Sequence, residues 1–206
     1  AVTETAYRIM MKCVQMKLQG VVAAIVGESQ VAYLSDGRQV SDTTILSAEL
    51  AVEMEKDGNG GVMVQVDNSA AFDRVRWDFM HEIVETMGFP PKFRKLLRAV
   101  YKEMPYRVKV NGVVGEVKHA TNSIRQGCPG SPLVFLLVQE ALLISIRRTG
   151  DGSLEGVPIG QSTVKERGMS DDTLVYLRRA SQTPQLFEII REFEEASGQE
   201  LNESKS

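Results

Sequence analysis

Val62-Met63-Val64-Gln65-Val66-Asp67-Asn68-Ser69-Ala70-Ala71-Phe72-Asp73 is the stretch from which the fold is read. Val62, Val64 and Val66 alternate with Met63 and Gln65, and a period of two in β-branched residues predicts a strand. The strand runs into Asp67, at the end where a sheet can offer a side chain to a ligand. Phe72 and a second acid, Asp73, follow at once. A strand-end aspartate is also a common turn former, and Asn68 or Ser69 is equally suited to capping a following helix. Asp67 therefore has to find partners elsewhere in the chain.

Downstream, Trp77 to Met87 predicts a helix that stops at Gly88, and Pro90-Pro91 opens another. The second has one apolar face (Phe93, Leu96, Leu97, Val100, Tyr101, Met104) and one basic face (Lys92, Arg94, Lys95, Arg98, Lys102). The period then changes to two at Tyr106, Val108 and Val110. Asn111-Gly112 signals a tight hairpin, with Val113 to Val117 as its return strand. Arg125-Gln126-Gly127-Cys128-Pro129-Gly130-Ser131-Pro132 is a loop punctuated by glycine and proline, leading into an apolar helix from Leu133 to about Arg148. Gly150-Asp151-Gly152 is a turn, and Val157-Pro158-Ile159 is a short strand at best. Thr173 to Leu177 is a second good strand, and a last helix ends at Gly198. Upstream, Thr3 to Leu18 predicts an amphipathic helix stopped by Gly20, and Asp42 or Thr43 caps a helix running to about Met54. Helices and strands intermix with at least one hairpin, which argues for an α+β fold with an antiparallel sheet.

The 206 residues suffice for one domain with a real core. Two cysteines, Cys13 and Cys128, make neither a disulfide framework nor a zinc spacing, so a reducing, intracellular setting is expected, nuclear or cytoplasmic. No signal peptide or membrane span is read from the sequence, and no membrane partner is expected. The formal charge of −3 hides an asymmetry: from Met87 to Gln126 nine basic residues face only Glu103 and Glu116. Such a strip suits phosphate tracking, although it also fits a solvated helix face.

Asp171-Asp172 stand just before the second good strand. Adjacent like charges repel unless a cation offsets them, although an exposed turn would tolerate them too. Their combination with Asp67 is more telling. Three carboxylates from two neighbouring strands, with no His or Cys close in sequence, suit hard cations such as Mg²⁺. Two such ions about 3.5–4 Å apart serve in-line phosphoryl displacement.

With these residues in view, the chain resembles the reverse transcriptases of non-LTR (LINE-type) retrotransposons. Asp67 to Asp73 resembles their first catalytic motif, Arg125 to Pro132 their nucleotide-binding loop, and Met169-Ser170-Asp171-Asp172 their aromatic-x-Asp-Asp box. Gly37 to Asp42 resembles a fingers motif, and Val110-Asn111-Gly112 and Ser197-Gly198…Leu201-Asn202…Lys205-Ser206 match in family order. The resemblance implies a right-hand polymerase palm and fingers, with fingers near 1–60 and 78–125 and palm near 61–77 and 126–206. It implies RNA-directed DNA synthesis from dNTPs on an RNA template and a DNA primer, with two Mg²⁺ ions (or Mn²⁺) held by Asp67, Asp171 and Asp172. Phe72 would lie under the sugar and exclude a 2′-OH, with core packing the other reading of its ring. Gln126 and Arg125 would meet the incoming nucleotide, with Gly127 permitting close backbone approach. Arg38 would clamp the triphosphate, or else be an ordinary surface arginine. Lys205 would act near pyrophosphate, and Asp73 is expected to be structural.

The match departs from the family at Met169, where an aromatic is usual, and at Asn68, Ala70, Gly130 and Ser170. The charged lead-in Lys165-Glu166-Arg167-Gly168 predicts a weak first half of the Asp-Asp hairpin. The family's thumb and flanking domains are expected beyond this segment. Two alternatives stay open: a catalytically inactive, nucleic-acid-binding relic, and an RNA-dependent RNA polymerase, against which Phe72 speaks.

Overall fold

The computed structural model describes residues 5–149 and 153–202. Two helices open it, α1 (Thr5–Ile25) and α2 (Val40–Asp57), followed by strand β1 (Val62–Asp67). Three helices follow, α3 (Ala71–Arg74), α4 (Trp77–Thr86) and α5 (Pro91–Val100). Then come four short strands, β2 (Met104–Tyr106), β3 (Lys109–Val110), β4 (Val113–Val114) and β5 (Lys118–Ala120), and the long helix α6 (Ser131–Arg148). Strands β6 (Val157–Ile159), β7 (Ser162–Val164), β8 (Glu166–Met169) and β9 (Asp172–Leu177) precede a short 3₁₀ turn and helix α7 (Thr183–Ser197).

The central sheet has the order β1-β9-β8 and is antiparallel throughout. Val64 pairs with Val175, Val66 with Thr173, and Asp67 with Asp172. Because strand side chains alternate, each pair shares one face. Val62, Val64 and Val66 meet the main core with Val175 and Leu177, while Met63, Gln65 and Asp67 look the other way. On that second face Tyr176 and Leu174 pack against Leu46, Leu50 and Met54 of α2 and against Val157, Ile159 and Val164 of the β6–β7 hairpin. Beneath the first face lies α6, whose residues from Leu133 to Glu140 are all buried. A helix apolar on every side belongs inside a domain. Replacing one of its large side chains, such as Phe135, by Ala should cost about 3–5 kcal/mol.

Several elements correct the sequence reading. Helix α1 passes through Gly20 and ends at Ile25. Leu18 and Val22, one turn apart, are buried in the main core, and that burial outweighs a glycine penalty of about 1 kcal/mol. Helix α2 starts at Val40, and Asp42 sits inside its first turn, accepting the Gln39 N–H. Neither Asn68 nor Ser69 caps α3; Ala70 does, at φ +51°. The hairpin tip at Asn111-Gly112 forms with positive φ at both residues, but the return strand breaks at Gly115, giving two small ladders, β3–β4 and β2–β5. Strand β7 returns after a two-residue turn to pair with β6, from Val157↔Val164 to Ile159↔Ser162, where the sequence gives no clear strand pattern.

The charged lead-in is not weak. All of β8 pairs with β9, from Glu166↔Val175 to Met169↔Asp172. Glu166 is 5% exposed and is reached by Arg147 of α6, and Arg167 donates to the Glu28 carbonyl. Gly168 is small for a reason: a Cβ there would stand 2.7 Å from Gln30 Nε2 and 2.9 Å from Leu143 Cδ1. The Gly150–Gly152 turn and Lys205 lie outside the described residues.

Candidate nucleotide-transfer site

The sheet builds the acidic end of the site. Asp67 closes β1 and Asp172 opens β9 as its direct cross-strand partner, so both carboxylates start from one face at one edge of the sheet. Asp171 precedes Asp172 in the two-residue β8–β9 turn, with Ser170 at φ +67° in the first turn position. All three acids are half-buried. Asn68 joins the two halves: its amide donates to the Asp171 carbonyl at 3.4 Å. The segment after α7 holds the other side. Ser69 N–H donates to the Glu200 carbonyl, Asn202 N–H to the Asp67 carbonyl, and Asn202 Nδ2 to Asp67 Oδ2 at 3.3 Å.

Oxygen-only donors at adjoining strand ends fit a hard divalent cation in kind. Among the described residues, no group of three or more His, Cys, Asp or Glu side chains is already gathered as a metal cage. What the fold fixes is the register that sets Asp67 opposite Asp172, with Asp171 next to it on the turn.

Four further expected residues gather in a separate cleft of about 460 Å³. Phe72, Arg125, Gln126 and Gly127 line it, together with Tyr33, Cys128, Pro129, Ser131 and Pro132. Phe72 stacks on Phe135 of α6, with centroids 4.2 Å apart and planes 17° from parallel. Its ring is thus fixed from behind while one part faces the cleft. Gln126 Nε2 donates to both Asp73 oxygens at 3.1 Å, so Asp73 orients the loop glutamine. Arg125 lies over the Tyr7 ring at 5.1 Å, and Tyr7 OH donates to Cys128 Sγ at 3.4 Å. Burial pushes the Tyr7 hydroxyl far above its ordinary range, and the Cys128 contact adds to this. Gly127 takes φ +78°, which a side chain would strain. The space at Gly130, where the family usually carries an apolar residue, is filled by Met11 of α1.

Arg38 stands apart from this cleft. Its guanidinium donates to the carbonyls of Gly27 (2.6 Å), Gln30 (3.0 Å) and Ala23 (3.0 Å), and its Nε pairs with Asp36 at 2.9 Å. The fork pins the loop after α1. Three residues were missed from sequence: Asn68 as a bridge, Gln30 and Tyr33. Gln30 is fully buried, and its Oε1 accepts from Ser170 N–H and Ala32 N–H. Ser170 Oγ donates to Tyr33 OH at 3.3 Å. The one signal that could have flagged Gln30 is the adjacent apolar pair Val31-Ala32, which places the segment near the core.

The profile of the reverse transcriptase (RNA-dependent DNA polymerase) family matches residues 1–206, and the chain belongs to that family. It is 25% identical over 202 residues to the transposon TX1 uncharacterized 149 kDa protein of Xenopus laevis, covering 98% of this chain and 15% of that one. This agrees with the resemblance to LINE-type elements. In structure it is similar to telomerase from Candida tropicalis in complex with a fragment of telomeric RNA (TM-score 0.65, 12% identity, 93% of this chain and 32% of that one). It is also similar to the Candida albicans counterpart (TM-score 0.59, 12% identity, 95% and 33%). The fold is therefore that of a right-hand polymerase, an antiparallel palm sheet packed on helices with fingers. The chain spans about a third of those telomerases and a smaller part of the transposon protein. Among the described residues no helix is long and apolar enough to cross a membrane.

Proposed function

We propose that this domain copies RNA into DNA, adding dNTPs to a primer 3′-OH within a retrotransposon protein. The observation that carries the reading is the register that sets Asp67 opposite Asp172. In the reaction the primer 3′-oxygen bonds to the α-phosphorus of the dNTP, the α–β phosphoanhydride breaks, and pyrophosphate leaves. Asp67, Asp171 and Asp172 would hold Mg²⁺, with Mn²⁺ able to replace it. Bound there, divalent ions lower the pKa of the attacking hydroxyl and offset charge on the leaving group. The chain's own part is to place the acids on one sheet face and to hold the nucleotide. Gln126, oriented by Asp73, and Arg125 meet the nucleotide, while Phe72, braced by Phe135, closes the space a 2′-OH would need. Arg38 shapes the fingers loop, from which a guanidinium contact to triphosphate would require it to leave its carbonyl partners. The fingers comprise about 1–60 and 78–125, and the palm about 61–77 and 126–206. The RNA template and DNA primer lie along α5 and the β3–β4 hairpin.

Primer extension on poly-rA/oligo-dT with Mg²⁺ tests this. Incorporation of dTTP that disappears in Asp172→Ala supports it. Salt-dependent binding without incorporation would leave a silent nucleic-acid binder instead, a reading motivated by the departures from the family pattern between Lys165 and Ser170. Equal use of rNTPs would point to an RNA-templated RNA polymerase.

A further inference from the structure

We propose that Tyr33 couples the nucleotide cleft to the acidic turn: its ring is a stacking wall for the nucleotide base, and its hydroxyl holds Ser170 beside Asp171. The inference rests on the reading of the cleft as a nucleotide site.

Three observations converge on this residue. Tyr33 lines the cleft with Phe72, Arg125, Gln126 and Gly127, and the other described lining residues come from Phe72 or the 125–132 loop. Tyr33 alone brings the segment after α1 to that space. Its hydroxyl meets Ser170 Oγ at 3.3 Å, one residue before Asp171. Its backbone sits at φ +57°, a conformation that disfavours a bulky side chain. A tyrosine kept there, 48% exposed, is strained without the compensation of a filled core. Strain of this kind is retained where the surroundings hold the residue for a purpose.

The surroundings do hold it. Gln19 Nε2 donates to the Tyr33 carbonyl at 3.1 Å, and Val31 N–H donates to the Gly168 carbonyl while Gly168 N–H donates to that of Ser29. Gln30 accepts from Ser170 N–H. Residues 29–33 are thus stitched to β8 and its turn on both sides. A base stacked on the Tyr33 ring would fix the ring, the ring its hydroxyl, and the hydroxyl the turn that carries Asp171. Filling the cleft and setting the acid then become one event.

The test uses dATP with Ca²⁺, which permits binding without turnover, and single-turnover dTTP incorporation with Mg²⁺ on poly-rA/oligo-dT. Tyr33→Gly removes the ring and suits the positive φ, so the fold should survive, as the melting temperature will report. Tyr33→Phe keeps the ring and removes the hydroxyl. Loss of the ring should weaken dATP binding about tenfold or more, the size of one base–aromatic stack. Loss of the hydroxyl should leave dATP binding within about twofold and slow incorporation about three- to fivefold, the size of one hydrogen bond. Wild-type dATP affinity in Tyr33→Gly, or no dATP binding by the unaltered chain, overturns the wall. An unchanged rate in Tyr33→Phe overturns the hydroxyl link. A chain that extends primers while Tyr33→Gly binds normally refutes this inference alone. One that never extends primers, yet loses dATP binding in Tyr33→Gly, supports the wall and refutes the polymerase reading alone.

Discussion

Arg147 Nε donates to Glu166 Oε1 at 2.8 Å, tying the end of α6 to the first residue of β8. The same guanidinium donates to Glu140 Oε1 at 3.2 Å, where Gly27 N–H also donates. Two acids, 1% and 5% exposed, thus share one cation, and Glu140 Oε2 is buried without a protein partner. Replacing Arg147 by Met should cost about 2–3 kcal/mol, less than for a fully buried pair because Arg147 is partly solvated. Urea denaturation would show it as a lower midpoint at constant slope.

Glu140 itself gives a pH signature. Burial raises its pKa above the ordinary carboxylate value, outweighing the Gly27 and Arg147 contacts that lower it. A carboxyl with a raised folded pKa binds its proton more tightly in the folded chain. Its contribution is therefore full below the ordinary carboxylate value and is lost as pH rises through the raised one. Glu140→Gln keeps an acceptor for Gly27 and leaves a neutral Arg147–Glu166 pair. It should raise stability at pH 8, a gain that vanishes as pH falls below the ordinary carboxylate range. A pH series of melting curves decides this, and a gain independent of pH would refute it.

Asp67 and Asp172 should separate activity from stability. They are like charges directly across an antiparallel pair, an arrangement that costs about 0.2–1 kcal/mol. Asp172→Asn keeps the shape of the side chain and removes one of the two charges, so it should abolish incorporation while the chain still folds. Mg²⁺ should raise the melting temperature of the unaltered chain and not of the variant.

Phe72→Ala should admit rNTPs. On the proposed reading of Phe72 as the ring that closes the space below the sugar, selectivity for dTTP over UTP should fall about tenfold or more. The lost stack on Phe135 should also destabilise the fold by about 2–3 kcal/mol, the ring being only partly buried. Kinetics with both nucleotides at one temperature separate the two effects.

The basic face of α5 should bind polyanion backbone. Lys92, Lys95 and Lys102 are exposed, and Lys92 and Lys95 flank a cleft of about 400 Å³ with Arg94 and Arg98. Changing the three lysines to Gln should weaken RNA–DNA duplex binding irrespective of sequence. The slope of log K against log salt should become shallower by roughly three. An unchanged slope would mean the face is merely solvated.

What could be read from the sequence was what local pattern encodes. The valine alternation of β1, the Asn111-Gly112 tip and Pro132 at the start of α6 formed as expected, and so did the amphipathic α5 as far as Val100, beyond which Met104 opens β2 instead of closing the helix face. The Asp67 and Asp171-Asp172 segments also meet, as the family motif order implied. What local pattern hides is set by distant neighbours. Gly20 reads as a stop until Val22 is seen in the core. Glu166 and Arg167 read as a poor strand until Arg147 and Glu28 appear. Arg38 carries no mark of the three carbonyls it would satisfy, and Tyr33 none of its reach to Ser170.

The latch from Glu200 to Asn202 onto Asp67 and Ser69 also imposes an order in time. Some 130 residues separate the first acid from the backbone groups that fasten it. While the ribosome is still making α7, Asp67 is already exposed to solvent but not yet held. The backbone and side-chain contacts that hold Asp67 from this side therefore form only after residues 200–202 have been added to the chain.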